Sequence, residues 1–250
     1  MGNVIGPSRQ NLDSLRMSRL GSAGPQPGSS RKTGNRETKG WFSRGYLPHL
    51  DSIYVIQSIT FRLADSIPRE RLRQLENALK HLPTSAQDRQ RSQKIEHWLD
   101  AGMGCCALKH PRMATVIMET LEKHDPKRYG LIAWCIMPNH VHVLIEPRAS
   151  LPKIVQSWKS YTGRWAMTKN AELGLGVPGR AFWMRDFWDR YIRDEHHFQR
   201  VVDYIHWNPV KAGLCREPHE WRWSSAFSAN DCPAKHGLHT VSVVRNGPSR

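Results

Sequence analysis

His140 and His142 lie one residue apart in MPNHVHVLIEP (residues 137–147), a run otherwise apolar enough to be a buried strand. Side chains two apart on a strand share a face, with Cα atoms roughly 6.5 Å apart, so both imidazoles look the same way. Val141, Val143 and Ile145 supply the opposite, apolar face. Two neutral imidazoles converging from a stiff strand can ligate a metal ion; a purely structural pair is the plainer alternative. The second chemical group is Tyr204. On a helix expected over 194–208, Phe198, Val201, Val202 and Ile205 form an apolar stripe, and Tyr204 stands about 100° from its centre. It belongs to a polar edge made by His197, Tyr204 and Asn208. A phenol there can act as a nucleophile that forms a covalent intermediate, and Asn208 can lend a carbonyl oxygen to a metal one turn further on. Most boundary tyrosines only rest the ring on the core and keep the hydroxyl in water, so that alternative stays open at this point.

Charge narrows the substrate. The 250 residues carry 37 Lys and Arg against 22 Asp and Glu, a net of +15. A balance this basic points to a polyanion, because each neutralised phosphate releases counterions and adds salt-sensitive affinity. Hydrophobic residues make up 39% of the chain, enough for one catalytic-sized core. The five cysteines, Cys105, Cys106, Cys135, Cys215 and Cys232, contain no CxxC pair, so neither a disulfide framework nor a structural zinc site is indicated. There is no signal sequence and no apolar run of membrane-spanning length, and MGNVIG lacks the Ser or Thr of a myristoylation signal. The expectation is a reduced, cytoplasmic protein with no membrane partner.

The elements that must position these groups read as follows. Residues 1–40 are rich in Gly, Ser, Pro and Arg, carry a net +5, and are expected to be a disordered basic tail. A catalytic domain is expected over 41–225, followed by a flexible tail over 226–250. Residues 53–63 alternate as a first strand, and Pro68 opens a helix with Leu72, Leu75, Leu79 and Leu82 on one stripe. Residues 85–100 form a charged second helix ending at Gly102; GCCAL (104–108) is expected to be a short strand. Residues 111–124 form a helix with Met113, Val116, Ile117 and Leu121 inward. Two strands joined at Pro138-Asn139 then make a hairpin that presents the histidine pair just after its turn.

Ser150 is expected to cap the next helix, with Pro152 in its first turn. Its inner stripe is Leu151, Ile154, Val155, Trp158, Thr162 and Trp165; Lys153, Ser157, Ser160 and Arg164 line the opposite side. A Gly-rich loop (174–180) and the aromatic run AFWMRDFWDRYI suggest a last strand, and the final helix should stop near Asn208, before Pro209. Interleaved strands and helices with a clear hairpin give an α+β sandwich.

The order of these motifs resembles the HUH single-tyrosine transposases, specifically the REP-associated tyrosine transposases. The likeness rests on His140-Val141-His142 after Pro138-Asn139 and on DYIHWNPVKAGL (203–214), together with RGYLPHLDS, TFRLAD, HWLDAG, WKSYT, FWMRDFWDRYIRDEHHF and EWRWSSAF. It spans roughly residues 41–225. It implies a ferredoxin-like antiparallel sheet flanked by helices, with His140 and His142 binding Mg²⁺ or Mn²⁺, Tyr204 as nucleophile and Asn208 as third metal ligand. The implied reaction cleaves and rejoins single-stranded hairpin DNA through a 5′-phosphotyrosine and a free 3′-hydroxyl. The implied assembly is a monomer rather than a dimer. His206-Trp207 departs from the smaller polar residues that relatives often have there. Lys153, Lys159, Arg164, Arg185 and Arg190 are the candidate DNA-binding residues, and His197 is a candidate proton acceptor for Tyr204.

Competing readings meet specific residues. A histidine-triad nucleotide hydrolase wants a third histidine on the same face, where Leu144 stands. Tyr161 and Tyr191 lack the amide four residues on, having Trp165 and Glu195 there. A rolling-circle-type nicking enzyme shares the chemistry and is separated only by the downstream motifs. A catalytically idle DNA-binding regulator on the same fold remains as the alternative of a different class.

Overall fold

The computed structural model describes residues 38–44, 47–123 and 126–228. The expected tails over 1–40 and 226–250 lie almost entirely outside the described residues. The described elements are β1 (Gly40–Arg44), β2 (Leu47–Asp51), β3 (Gln57–Arg62), α1 (Arg69–Leu79), α2 (Thr84–Asp100), α3 (Pro111–Lys123), β4 (Tyr129–Ile136), β5 (His140–Pro147), α4 (Leu151–Leu173), β6 (Trp188–Tyr191) and α5 (Glu195–Lys211). Short 3-10 turns occupy Ala107–Lys109 and Pro218–Glu220.

β1 and β2 form a separate antiparallel ribbon, while the main sheet has the order β4-β5-β3-β6 with every pair antiparallel. Strand, helices, hairpin, helix, strand in that order is the ferredoxin-like βαββαβ arrangement, so the α+β expectation holds. The first crossover carries an added helical hairpin, α1–α2, before α3. Among the described residues no helix is long and apolar enough to cross a membrane.

The β4–β5 hairpin forms because both strands are rich in β-branched and aromatic residues and the turn is supplied by Pro138-Asn139. Its closure is a hydrogen bond from Met137 N–H to the His140 carbonyl, 2.9 Å. β5 sits between β4 and β3, and all eight of its residues are buried. A strand covered on both faces reads as a continuous apolar run, which is why the two histidines stand out in it.

Each face of the sheet has its own core. Ile59, Phe61, Val141, Val143, Trp134 and Ile136 pack under α3 and α4, against Met113, Ile117, Ile154, Val155 and Trp158. On the other face Ala133, Cys135, Met137 and Leu144 pack against Phe198 and Ile205 of α5. Strand pairing puts His142 opposite Thr60 and Cys135, and His140 opposite Arg62. Both histidines therefore lie on the face that α5 covers. The α1–α2 hairpin has a small core of its own, Ile67, Ile95 and Leu99, with Leu72, Leu75 and Trp98, and rests on Trp188 of β6.

Three expectations change. GCCAL is not a strand: Gly102, Gly104 and Cys106 all have positive φ, and extended pairing is unavailable to such a run. A Cβ at Gly104 would stand 2.7 Å from the Asp65 carbonyl oxygen, so the close approach of the two backbones requires glycine. The first strand is shorter than 53–63, because Tyr54 turns with φ 63° ahead of β3. α5 does not stop at Asn208 but runs to Lys211, with Pro209 inside it and both residues buried. The preference against helical geometry before proline is outweighed by that burial, and the end comes at Gly213, where φ is 69°. β1 and β2 carry no alternation strong enough to mark them in the sequence.

The cap of α4 also differs from expectation. Ser150 is the residue before the helix but makes no side-chain cap bond. Its hydroxyl instead donates to Asp51 Oδ2 at 2.9 Å, and Leu151 N–H donates to Asp51 Oδ1 at 2.9 Å. Asp51, buried at the end of β2, thus caps a helix a hundred residues on and also accepts from Lys39 N–H at 3.1 Å. Asp51→Ala leaves these donors unpaired in a buried site, and we expect it to lower the unfolding free energy by about 2–3 kcal/mol in urea titrations. A loss below ~0.5 kcal/mol would mean that water replaces the carboxylate.

Candidate active site

β5 delivers the histidine pair to the sheet face beneath α5. His140 and His142 are 1% and 2% exposed, and their rings meet edge to face with centroids 4.6 Å apart. Burial pushes both imidazoles toward the neutral form: His142 is lowered to about 3, and His140, with His142 beside it, is lowered well below the usual histidine range. Neutral rings keep a lone pair, which a metal ligand must have.

The outer nitrogens are held by specific partners. Asn139 Nδ2 donates to the Met103 carbonyl at 2.9 Å, which turns its Oδ1 toward His140 Nδ1 at 2.7 Å. An amide oxygen only accepts, so the His140 proton sits on Nδ1 and its Nε2 carries a lone pair. That nitrogen faces His142 Nε2 at 2.9 Å. His142 Nδ1 meets the Thr60 hydroxyl at 2.8 Å, and a hydroxyl serves either tautomer. With the proton on His142 Nε2, the two rings hydrogen-bond to each other. With the proton on Nδ1, Thr60 accepts it and two lone pairs point at one place, an arrangement stable only around a cation. Orienting partners on the far nitrogens are the normal support of histidine ligands.

α5 brings the other two groups. Its first turn is capped by Asp194, which accepts from His197 N–H at 2.7 Å. The Tyr204 ring lies edge to face on His142, centroids 5.3 Å apart, and Lys211 Nζ stands 5.1 Å from the centre of the Tyr204 ring. One turn on, Asn208 is buried, and its Oδ1 has no hydrogen-bond partner. A buried amide oxygen without a donor is costly. Imidazole nitrogens and an amide oxygen are both donor types that divalent cations accept. Among the described residues no cluster of three His, Cys, Asp or Glu exists for a metal.

The Tyr204 phenol is pushed up, first by burial and then by Glu96 and Asp100 of α2; the Asn208 amide and Arg190 act in the opposite direction. Glu96 itself is raised by burial and by Asp100, with Arg190 and Lys211 opposing. A carboxylate pair and a cation pair therefore compete around one hydroxyl. These α2 residues were missed in the sequence, where a charged helix reads as a solvated face.

The remaining sequence candidates separate in space. Arg190 is exposed on β6, opposite Ser58 on the histidine face, and its charge reaches Tyr204. Lys153 and Arg164 are exposed on α4, which covers the opposite face, and Arg185 is exposed in the loop after it. Lys159 is a correction: its ammonium donates to the Met184 and Arg185 carbonyls, 2.6 Å each, and so clamps that loop onto α4. His197 is another: its Nδ1 accepts from Arg193 N–H at 3.3 Å at the start of α5. Seven residues of helix place it roughly 10 Å along the axis from Tyr204.

Residues 109–208 match the family described as "Transposase IS200 like", a span that includes His140, His142, Tyr204 and Asn208. A Haemophilus influenzae protein provisionally named a REP-associated tyrosine transposase is 32% identical over 116 residues, covering 41% of this chain and 61% of that protein. The REP-associated tyrosine transposase of Escherichia coli is 29% identical over 97 residues, covering 39% of this chain and 54% of its own. The chain thus spans little more than half the length of these curated relatives. A solved structure of a REP-associated tyrosine transposase bound to a REP hairpin aligns at TM-score 0.41 and 17% identity, over 70% of this chain and 79% of that one. The likeness to REP-associated tyrosine transposases drawn from the motifs stands.

Asn139 fixes the His140 tautomer from the ring nitrogen opposite the one that faces His142. We expect Asn139→Ala to weaken Mn²⁺ binding by roughly 10–100-fold in calorimetric titrations. Unchanged affinity in a folded variant would show that the tautomer is set by something else.

Proposed function

We propose, from the premise that residues 109–208 form an IS200-like transposase domain related to the REP-associated tyrosine transposases, that this chain cleaves and rejoins single-stranded hairpin DNA through Tyr204. The observation that carries the reading is the contact of the Tyr204 ring with His142, whose Nε2 faces that of His140 at 2.9 Å. A nucleophile of the type needed for a phosphotyrosine thus stands against two neutral imidazoles.

In this reading the Tyr204 oxygen attacks a phosphodiester phosphorus, the phenolic proton leaves, and the 3′-oxygen departs to become a free hydroxyl. The 5′ end stays on the enzyme as phosphotyrosine. The reverse attack by a 3′-hydroxyl rejoins a strand and restores the phenol, so no water or ATP is consumed. Mg²⁺ or Mn²⁺ held by His140, His142 and Asn208 would supply charge stabilisation for the phosphoryl oxygens and the departing oxygen. Deprotonation of Tyr204 is opposed by burial and by Glu96 and Asp100, and favoured by Arg190 and the Asn208 amide. Lys211, over the ring, adds a positive charge on the same side. The net +15 of the chain supports a DNA substrate, and Arg190 and Lys211 are the basic residues that could meet a phosphate beside Tyr204. The protein would act as a monomer in the cytoplasm.

The test is incubation of the protein with end-labelled single-stranded hairpin DNA, with Mn²⁺ or with EDTA, on a denaturing gel beside Tyr204→Phe. We expect a protein-linked DNA band that needs the metal and disappears in Tyr204→Phe. DNA that is bound but uncut with every divalent ion would contradict the reading and favour an idle DNA-binding regulator.

A further inference from the structure

A groove lined by tryptophan and arginine lies away from Tyr204. After α5 and the short turn at Pro218–Glu220, residues 221–225 run along the free edge of β4. Ile136 N–H donates to the Trp223 carbonyl at 2.8 Å and Ser225 N–H to the Trp134 carbonyl at 2.9 Å. The segment is a turn held by a single bridge, Cys135 opposite Ser224, and its side chains do not follow strand alternation. Trp221 packs with the core beneath α5, and Trp223 packs with the core beneath α3 and α4.

On that second side Trp223 and Trp165 of α4 wall a groove of about 370 Å³, completed by Pro111, Arg112 and Val116 of α3 and by Arg222. Both guanidinium-bearing residues are exposed. Arg222 stands over the Trp223 ring at 5.1 Å, and Arg112 reaches Glu172 at 3.5 Å, an exposed pair that water and phosphate readily exchange. The groove opens beside the tip of the histidine hairpin, because Leu108 N–H, just before α3, donates to the Pro138 carbonyl at 3.1 Å.

We propose that this groove takes one unpaired nucleotide of the single-stranded DNA, its base stacked on Trp165 or Trp223 and its phosphate on Arg112 or Arg222. Indole faces bind any base, and guanidinium groups suit the adjoining phosphate, so the pairing of two Trp with two Arg is complementary to a nucleotide and to little else in a DNA-binding chain. The site lies across the sheet from Tyr204, so the nucleotide it holds is several positions from the cleaved phosphate, reached round the β4 edge. This rests on the single-stranded DNA reading but not on cleavage.

The test uses the full chain carrying Tyr204→Phe, so that no strand is cut. Oligonucleotides with one 5-iododeoxyuridine at successive positions are irradiated in the complex, and the adducts are mapped by mass spectrometry. We expect adducts on Trp165 or Trp223 from one or two adjacent positions. Arg112→Gln and Arg222→Gln should each weaken oligonucleotide binding about tenfold and reduce the salt dependence by about one counterion. Adducts confined to residues around Tyr204 and His142, or an unchanged salt dependence in both arginine variants, would overturn the proposal. Failure of the cleavage reading looks different: groove adducts would form although the native chain never becomes linked to DNA.

Discussion

The constraint on which the site depends is the tautomer of His140. Met103 holds the Asn139 amide, the amide holds the His140 Nδ1 proton, and a lone pair is thereby aimed at His142. Every larger feature serves that line. β5 must be central so that the rings are dry and neutral, the hairpin turn must place Asn139 at the strand entrance, and β3 must be in register to offer Thr60 to His142. A slip of one residue in the β3–β5 pairing would turn Thr60 to the other face and leave His142 without its partner.

α5 is positioned by apolar burial and carries its chemistry at one edge. Phe198 and Ile205 dock on Leu144 and Cys135, and that docking lays the Tyr204 ring on His142. Pro209 sits inside the helix without ending it, so Asn208 remains helical and buried one turn beyond the tyrosine. The α1–α2 hairpin, an addition to the βαββαβ frame, sets the electrostatics: Glu96 and Asp100 oppose ionisation of Tyr204, and Arg190 opposes them. The phenol is therefore held protonated unless positive charge is added beside it.

Much of this was legible in the sequence for identifiable reasons. The histidine pair stood out because a strand buried on both faces tolerates so few polar residues. Tyr204 and Asn208 were legible through their spacing on a helix with a clear apolar stripe. Long-range partners were not: Asp51 caps α4 from the end of β2, and α2 brings its carboxylates to a tyrosine a hundred residues later, contacts that leave no local periodicity. Lys159 looked like a phosphate contact because it shares α4 with exposed cations, yet a loop folds back and uses its ammonium. The GCCAL segment misled because apolar composition hides the positive φ angles of Gly104 and Cys106.

We propose that His140, His142 and Asn208 together form a seat for one divalent cation beside Tyr204. The most direct test is anomalous diffraction from crystals of the protein equilibrated with Mn²⁺. A single peak is expected within bonding distance of His140 Nε2, His142 Nε2 and Asn208 Oδ1, with His142 Nδ1 retaining its contact to Thr60. A peak at Glu96 and Asp100 instead, or an intact His140–His142 hydrogen bond with no ion at saturating Mn²⁺, would contradict it.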